Sequence, residues 1–157
     1  VKKRIAVILL FMFAMFSTFS SVSAADGTVP LYRYYNNVDH FYTTNFDELG
    51  NGMSGYRLEG IQGYIFSQQQ PDTSPLYRYY NGTDHFYTIN FDELGNGMNG
   101  YSLEGIQGYI FPQQQPDTSP LYRYYNGTDH FYTTDFNELG NGGSGYSFEG
   151  IAGYIPN

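Results

Sequence analysis

The chain has 157 residues and a formal charge of −8, and its 18 tyrosines and 13 phenylalanines stand beside no tryptophan and no cysteine. The lack of cysteine excludes a disulfide framework, a cysteine nucleophile and a lipid-anchored N-terminus. Beyond residue 24 the chain carries four arginines and no lysine against 15 acids, a balance that turns the surface away from nucleic acid and anionic lipid.

In chain order the first element is a removable leader. Lys2, Lys3 and Arg4 form a basic start, residues 5–16 an apolar run, and Val22-Ser23-Ala24 a small-x-small cleavage site. This predicts a signal peptide over residues 1–24, cut after Ala24, and a secreted or periplasmic protein. The apolar run is short for a membrane span and no second one follows, so no span is expected after cleavage. The remaining residues, 25–157, suit a single domain.

That domain is three near-copies of one unit, at 30–74, 75–119 and 120–157. The first two agree at 39 of 45 positions, and the third agrees with the second at 29 of 38. A period of this size marks stacked units, each too small to bury its own apolar face. Leu31-Tyr32-Arg33-Tyr34-Tyr35 reads as a strand ending at Asn36-Asn37, or at Asn-Gly in the later copies, a hairpin signal. His40-Phe41-Tyr42-Thr43-Thr44 is the returning strand. Asn45-Phe46-Asp47-Glu48-Leu49 suits one helical turn capped by Asn45. Tyr56-Arg57-Leu58-Glu59 and the stretch 61–66 read as two further strands bent at Gly60 and Gly63, giving about a dozen strands in all. Positions that change between copies suggest exposure. Position 44 is Thr44, Ile89 or Thr134, and by alternation His40 and Tyr42 share its face. The same argument at Arg57 and Gln62 turns Glu59 and Tyr64 outward and Leu58, Ile61 and Ile65 inward.

The motif Pro-Leu-Tyr-Arg-Tyr-Tyr-Asn, then Asp-His-Phe-Tyr-Thr, then Gly-Tyr-x-x-Glu-Gly-Ile-x-Gly-Tyr-Ile recurs in order in every copy. It resembles a family of secreted bacterial and fungal repeats, three to a domain, of unassigned function. The resemblance spans residues 29–155. It implies architecture rather than activity, and it implies a fuller helix than the glycine-rich stretch 50–55 allows. The expected fold is all-β, built of three pseudo-symmetric units and β-trefoil-like, with a compact three-bladed propeller-like or prism-like arrangement as the alternative.

Gly50-Asn51-Gly52-Met53-Ser54-Gly55 matches the GxGxxG dinucleotide pattern, but a strand rather than a long helix follows it, so no cofactor is expected. The chemistry-bearing set is Arg33, Tyr35, Asp39, His40, Tyr42 and Glu59. It recurs as Arg78, Tyr80, Asp84, His85, Tyr87 and Glu104, and as Arg123, Tyr125, Asp129, His130, Tyr132 and Glu149. Such residues can form a structural network, with Arg33 paired to Glu59. They can equally bind a sugar, whose C–H face stacks on tyrosine while Asp, His and Glu take its hydroxyls. Metal binding by the histidines, with Asp39 or Glu59 or converging on the axis, is weaker, and no metal site is assigned. Hydrolysis by Glu59 with Asp39 is weaker still, since it needs three copies of an active site in a small domain. The expectation is therefore a non-catalytic, multivalent binding module for a glycan or cell-surface polysaccharide, with up to three equal sites. A structural or protein-interaction domain is the alternative, and the oligomeric state is left open.

Overall fold

The structure, a computed structural model, describes residues 26–157; the expected signal peptide lies outside the described residues. Each unit is built on three antiparallel strands, to which unit three adds a short fourth. In unit one, β1 (Thr28–Tyr35) lies between β2 (His40–Thr43) and β3 (Arg57–Phe66). Unit two repeats this with β4 (Ser74–Tyr80), β5 (His85–Thr88) and β6 (Ser102–Ile110). Unit three has β7 (Thr118–Tyr125), β8 (His130–Thr133), the two-residue β9 (Gly142–Gly143) and β10 (Tyr146–Pro156). The all-β, three-unit expectation is met. Among the described residues the strands form one six-stranded and one four-stranded sheet, and no barrel closes. The units thus stand as three blades around an axis, as in the propeller-like or prism-like alternative, rather than as a trefoil barrel.

Several local features differ from the reading of the sequence. The two strands expected over residues 56–66 are one strand, bent by bulges that leave Glu59 and Gln62 without a partner in β1. Gly60 at the first bulge has φ +137°, which a side chain would oppose. The hairpin between β1 and β2 is a four-residue loop rather than a tight Asn-Gly turn. Asn36 Oδ1 accepts from the N–H groups of Val38 and Asp39 at 2.9 and 2.8 Å, a side-chain turn that mimics backbone. The helical turn is a single 3-10 turn, Phe46–Glu48, and Asn45 caps it as expected. No helix follows the glycine stretch, which runs directly into β3.

One core lies on the pseudo-threefold axis and takes three residues from each unit: Leu31, Tyr42 and Ile65, Leu76, Tyr87 and Ile110, Leu121, Tyr132 and Ile155. The three tyrosine rings meet edge to face, with centroids 5.3–5.5 Å apart. Each hydroxyl serves the backbone of a neighbouring unit. Tyr42 Oη accepts from Tyr132 N–H at 2.7 Å and donates to Tyr132 C=O at 2.7 Å, and the same pair of bonds is repeated around the axis. Outside this core units one and two each have an apolar cluster of their own; in unit one it is Tyr34, Phe41 and Leu49, with Tyr34 donating to Gly50 C=O at 2.8 Å. β2 is therefore buried on both faces, His40 and Tyr42 included. The expected outward face of His40 and Tyr42 does not exist, because the side of β2 turned from its own blade meets the next one. Ile61, expected inward, is 47% exposed, because the bulge at Gln62 shifts the alternation.

Candidate functional site

The repeated polar set assembles at the three seams between units. At the seam of units three and one, Asp129 clamps His40 twice. One carboxylate oxygen accepts from His40 N–H at 2.8 Å and the other lies 2.6 Å from ring Nδ1. A carboxylate only accepts, so Nδ1 carries the proton. The second oxygen also accepts the hydroxyl of Tyr146. The imidazole is sandwiched between Tyr35, stacked at 4.2 Å, and the edge of Phe131 at 4.9 Å, and its Nε2 lies 3.6 Å from Glu59 Oε2. Asp39 treats His85 in this way at the seam of units one and two, and Asp84 treats His130 at the seam of units two and three.

Each seam also holds an arginine between two glutamates. Arg33 Nε lies 2.8 Å from Glu59 Oε2, as an ion pair off the hydrogen-bond line, while its terminal nitrogens fork onto Glu138 of unit three at 3.0 and 3.1 Å. The bidentate partner is thus a neighbouring unit's glutamate rather than Glu59. The guanidinium sits 4.8 Å from the ring centre of Phe131. Arg78 joins Glu104 and Glu48 alike, and Arg123 joins Glu149 and Glu93. Burial works against ionised Glu48 and Glu138, but hydrogen bonds from Arg78 and Thr43 to the first, and from Arg33 and Thr133 to the second, hold both below the usual carboxylate range. Burial, with the hydrogen bond to Asp39 adding to it, pushes the Tyr56 phenol far up, and burial does the same for Tyr42, Tyr87 and Tyr132.

Within each set of candidate residues, Arg33, Tyr35, His40 and Glu59 come together at one seam, Asp39 serves the next seam, and Tyr42 lies apart in the axial core. Asp39, His40 and Tyr42 are 1%, 6% and 1% exposed, so the parts within reach of solvent are the half-buried Tyr35 and the glutamates. The sequence reading missed Glu48, Glu93 and Glu138, and also Tyr56, Tyr101 and Tyr146. A signal existed: Glu138 persists in the third copy although its neighbour changes from Asp47 and Asp92 to Asn137. Among the described residues the group within ligand distance of one another is Asp39, Asp84 and Asp129, whose carboxylates approach within 4.8 Å around the axis, rather than the three histidines. All six of those oxygens already accept hydrogen bonds from the chain, so their chemistry is that of an interface clamp.

Grooves open outward along the seams of units two and three and of units three and one. The groove between units two and three has a volume of about 210 Å³ and is lined by Thr88, Asn90, Glu93, Arg123, Glu149 and Ile151. No described helix is long and apolar enough to cross a membrane. No curated protein and no solved structure matches the chain. A family model described as Domain of unknown function (DUF5648) matches residues 14–99 and again residues 53–156. Two overlapping matches over almost the whole chain agree with its internal repetition, and the chain belongs to this family of unassigned function.

Proposed function

We propose that the protein is a secreted, non-catalytic, multivalent carbohydrate-binding module whose sites are the seam grooves. The observation that carries this reading is the groove between units two and three. There Arg123 is held between Glu93 and Glu149 with its side chain 19% exposed, and both carboxylates are about one-third exposed. Planar donors and acceptors, fixed by one another and set beside the apolar Ile151, are what a sugar's hydroxyls and C–H face require. The pseudo-symmetry repeats the arginine and its two glutamates three times, so a repetitive polysaccharide would gain avidity. The histidines take no ligand in this reading, since they are interface residues.

The test is a glycan and cell-wall polysaccharide array probed with residues 25–157, alongside a Glu59→Gln, Glu104→Gln, Glu149→Gln triple variant. A hit that the triple variant loses while its melting temperature stays close to that of the parent supports the groove site. A second reading, a structural or protein-interaction domain, is favoured by the use of Asp39, His40 and Tyr42 in the interfaces. A blank array from a cooperatively melting protein selects that reading.

A further inference from the structure

The three seams are alike in side chains but not in backbone. At the seam of units one and two, Phe66 at the end of β3 pairs antiparallel with Tyr109 of β6. At the seam of units two and three, Phe111 and Tyr154 exchange two backbone hydrogen bonds, at 2.9 and 2.8 Å. In the repeat register the third seam sets position 156 opposite Tyr64. The residue there is Pro156, which has no N–H to donate. Among the described residues no ladder joins β10 to β3.

The side-chain packing beside this break is intact. Ile155 lies against Gly63 as Ile65 lies against Gly108 and Ile110 against Gly153, each isoleucine occupying the space a Cβ would need. The carbonyl is what differs. Phe66 O and Phe111 O come within 2.7 and 3.1 Å of the Cβ positions of Gly108 and Gly153, whereas the three atoms nearest that point on Gly63, out to 3.9 Å, are side-chain atoms of Ile155 and Thr134. Beside the break runs a groove of about 540 Å³ lined mainly by apolar surface, with Ile61, Tyr64, Ile155 and Pro156 in its wall. Its volume lies within the range of ligand-binding pockets.

We propose that this open seam binds an extended peptide carrying an aromatic residue, which adds to Tyr64 as Phe111 adds to Tyr154. The two closed seams supply the template. Tyr154 directs its N–H and C=O across the seam while Pro120 stands opposite it in β7. Tyr64 has the same position in β3, with Pro30 opposite, which likewise has no N–H to give its carbonyl. A backbone, with both a donor and an acceptor, matches that edge in the manner of strand addition. The aromatic requirement comes from the rings at the closed seams. Phe66 and Phe111 meet edge to face at 5.6 Å, and the third copy has Pro156 at their position in the repeat. The groove continues the interface between units, so an occupant would rest on apolar surface already arranged for one.

The test uses acetyl-Gly-Tyr-Ile-Phe-Pro-Gln-amide, the sequence of residues 108–113, and the same peptide with Ser in place of Phe. Binding is followed by amide shifts and hydrogen exchange in the whole chain. The expected result is shifts centred on Ile61, Tyr64 and Ile155, slower exchange of the Tyr64 amide, and at least about tenfold weaker binding of the serine peptide. Pro156→Phe restores the repeat, and this variant should melt higher and no longer take the peptide. Ile61→Asp, at an exposed position, should weaken binding without loss of fold and serves as the check if Pro156→Phe folds poorly. No response at Tyr64, equal binding of the two peptides, or undiminished binding by a folded variant would each overturn the proposal.

Discussion

At the scale of single residues, Asp39 and its repeats Asp84 and Asp129 each hold three donors at a seam. Asp39 accepts from His85 N–H, from His85 Nδ1–H and from the Tyr56 hydroxyl, and it is buried. Removing a buried acceptor leaves each donor without a partner at about 1–3 kcal/mol apiece. Asp39→Ala should therefore lower stability by at least about 3 kcal/mol, whereas Asp39→Asn, which keeps one carbonyl oxygen, should lose less; urea unfolding of the two variants measures the difference. Tyr42→Phe tests the axial ring in the same way. It strips the acceptor from Tyr132 N–H, buried at the centre, and should cost about 1–3 kcal/mol despite a near-identical shape. An equal stability for Tyr42→Phe and the parent, in the same unfolding experiment, would mean that the hydroxyl does not hold the neighbouring backbone. The types of these residues were legible in the sequence, but their directions were not. Alternation assumes a strand with one wet face, and β2 has none.

At the scale of elements, the seams explain differences between copies that exposure does not. Position 44 changes from Thr44 to Ile89 to Thr134, and position 62 from Gln62 to Gln107 to Ala152. Thr44 donates to Gln107 C=O and Thr134 to Gln62 C=O, whereas Ile89 and Ala152, which line one groove, each pack against the axial core. The two positions change as a pair because they face each other across a seam, which the sequence showed as variation without showing the contact. The strand ends are governed by close approach. A Cβ on Gly108 would come within 2.7 Å of both Phe66 O and Ile65 Cδ1. Backbone oxygen cannot yield as a side chain can, so Gly108→Ala should destabilise by about 1–3 kcal/mol. Gly105, at a bulge with no atom within 4 Å of the same point but with φ +144°, would instead suffer from backbone strain. Thermal melts of the two alanine variants, with the amide signals of Phe66 and Tyr109 as the local probe, separate the causes: only Gly108→Ala should disturb the β3–β6 pairing.

At the scale of the whole molecule, the sequence announced three units through its repeat and an all-β fold through its strands and turns. It did not announce how the ring is held, because a polar residue that bonds to another copy looks the same as one that awaits a ligand. The structure assigns most of that polarity to the seams, and this makes stability depend on pH from two directions. Glu48 and Glu138 have lowered pKa values in the folded state through burial offset by hydrogen bonds from Arg78, Thr43, Arg33 and Thr133. A carboxyl lowered on folding contributes stability that is present above its unfolded pKa, about 4.3, and is lost as the pH falls through the folded value. Tyr42, Tyr87 and Tyr132 have pKa values raised well above normal by burial. A phenol raised on folding contributes stability that is present below its unfolded pKa, about 10, and is lost as the pH rises toward the folded value, because the unfolded chain ionises first. The melting temperature should form a plateau between these limits and fall on either side. Phenolate absorbance read beside the β-sheet circular dichroism tests the alkaline arm. The exposed and half-buried tyrosines should titrate with the sheet signal intact, and the axial three only as that signal collapses. Smooth ionisation of all 18 tyrosines in a folded protein would mean that water reaches the axis and that the tyrosine ring does not close the three units together.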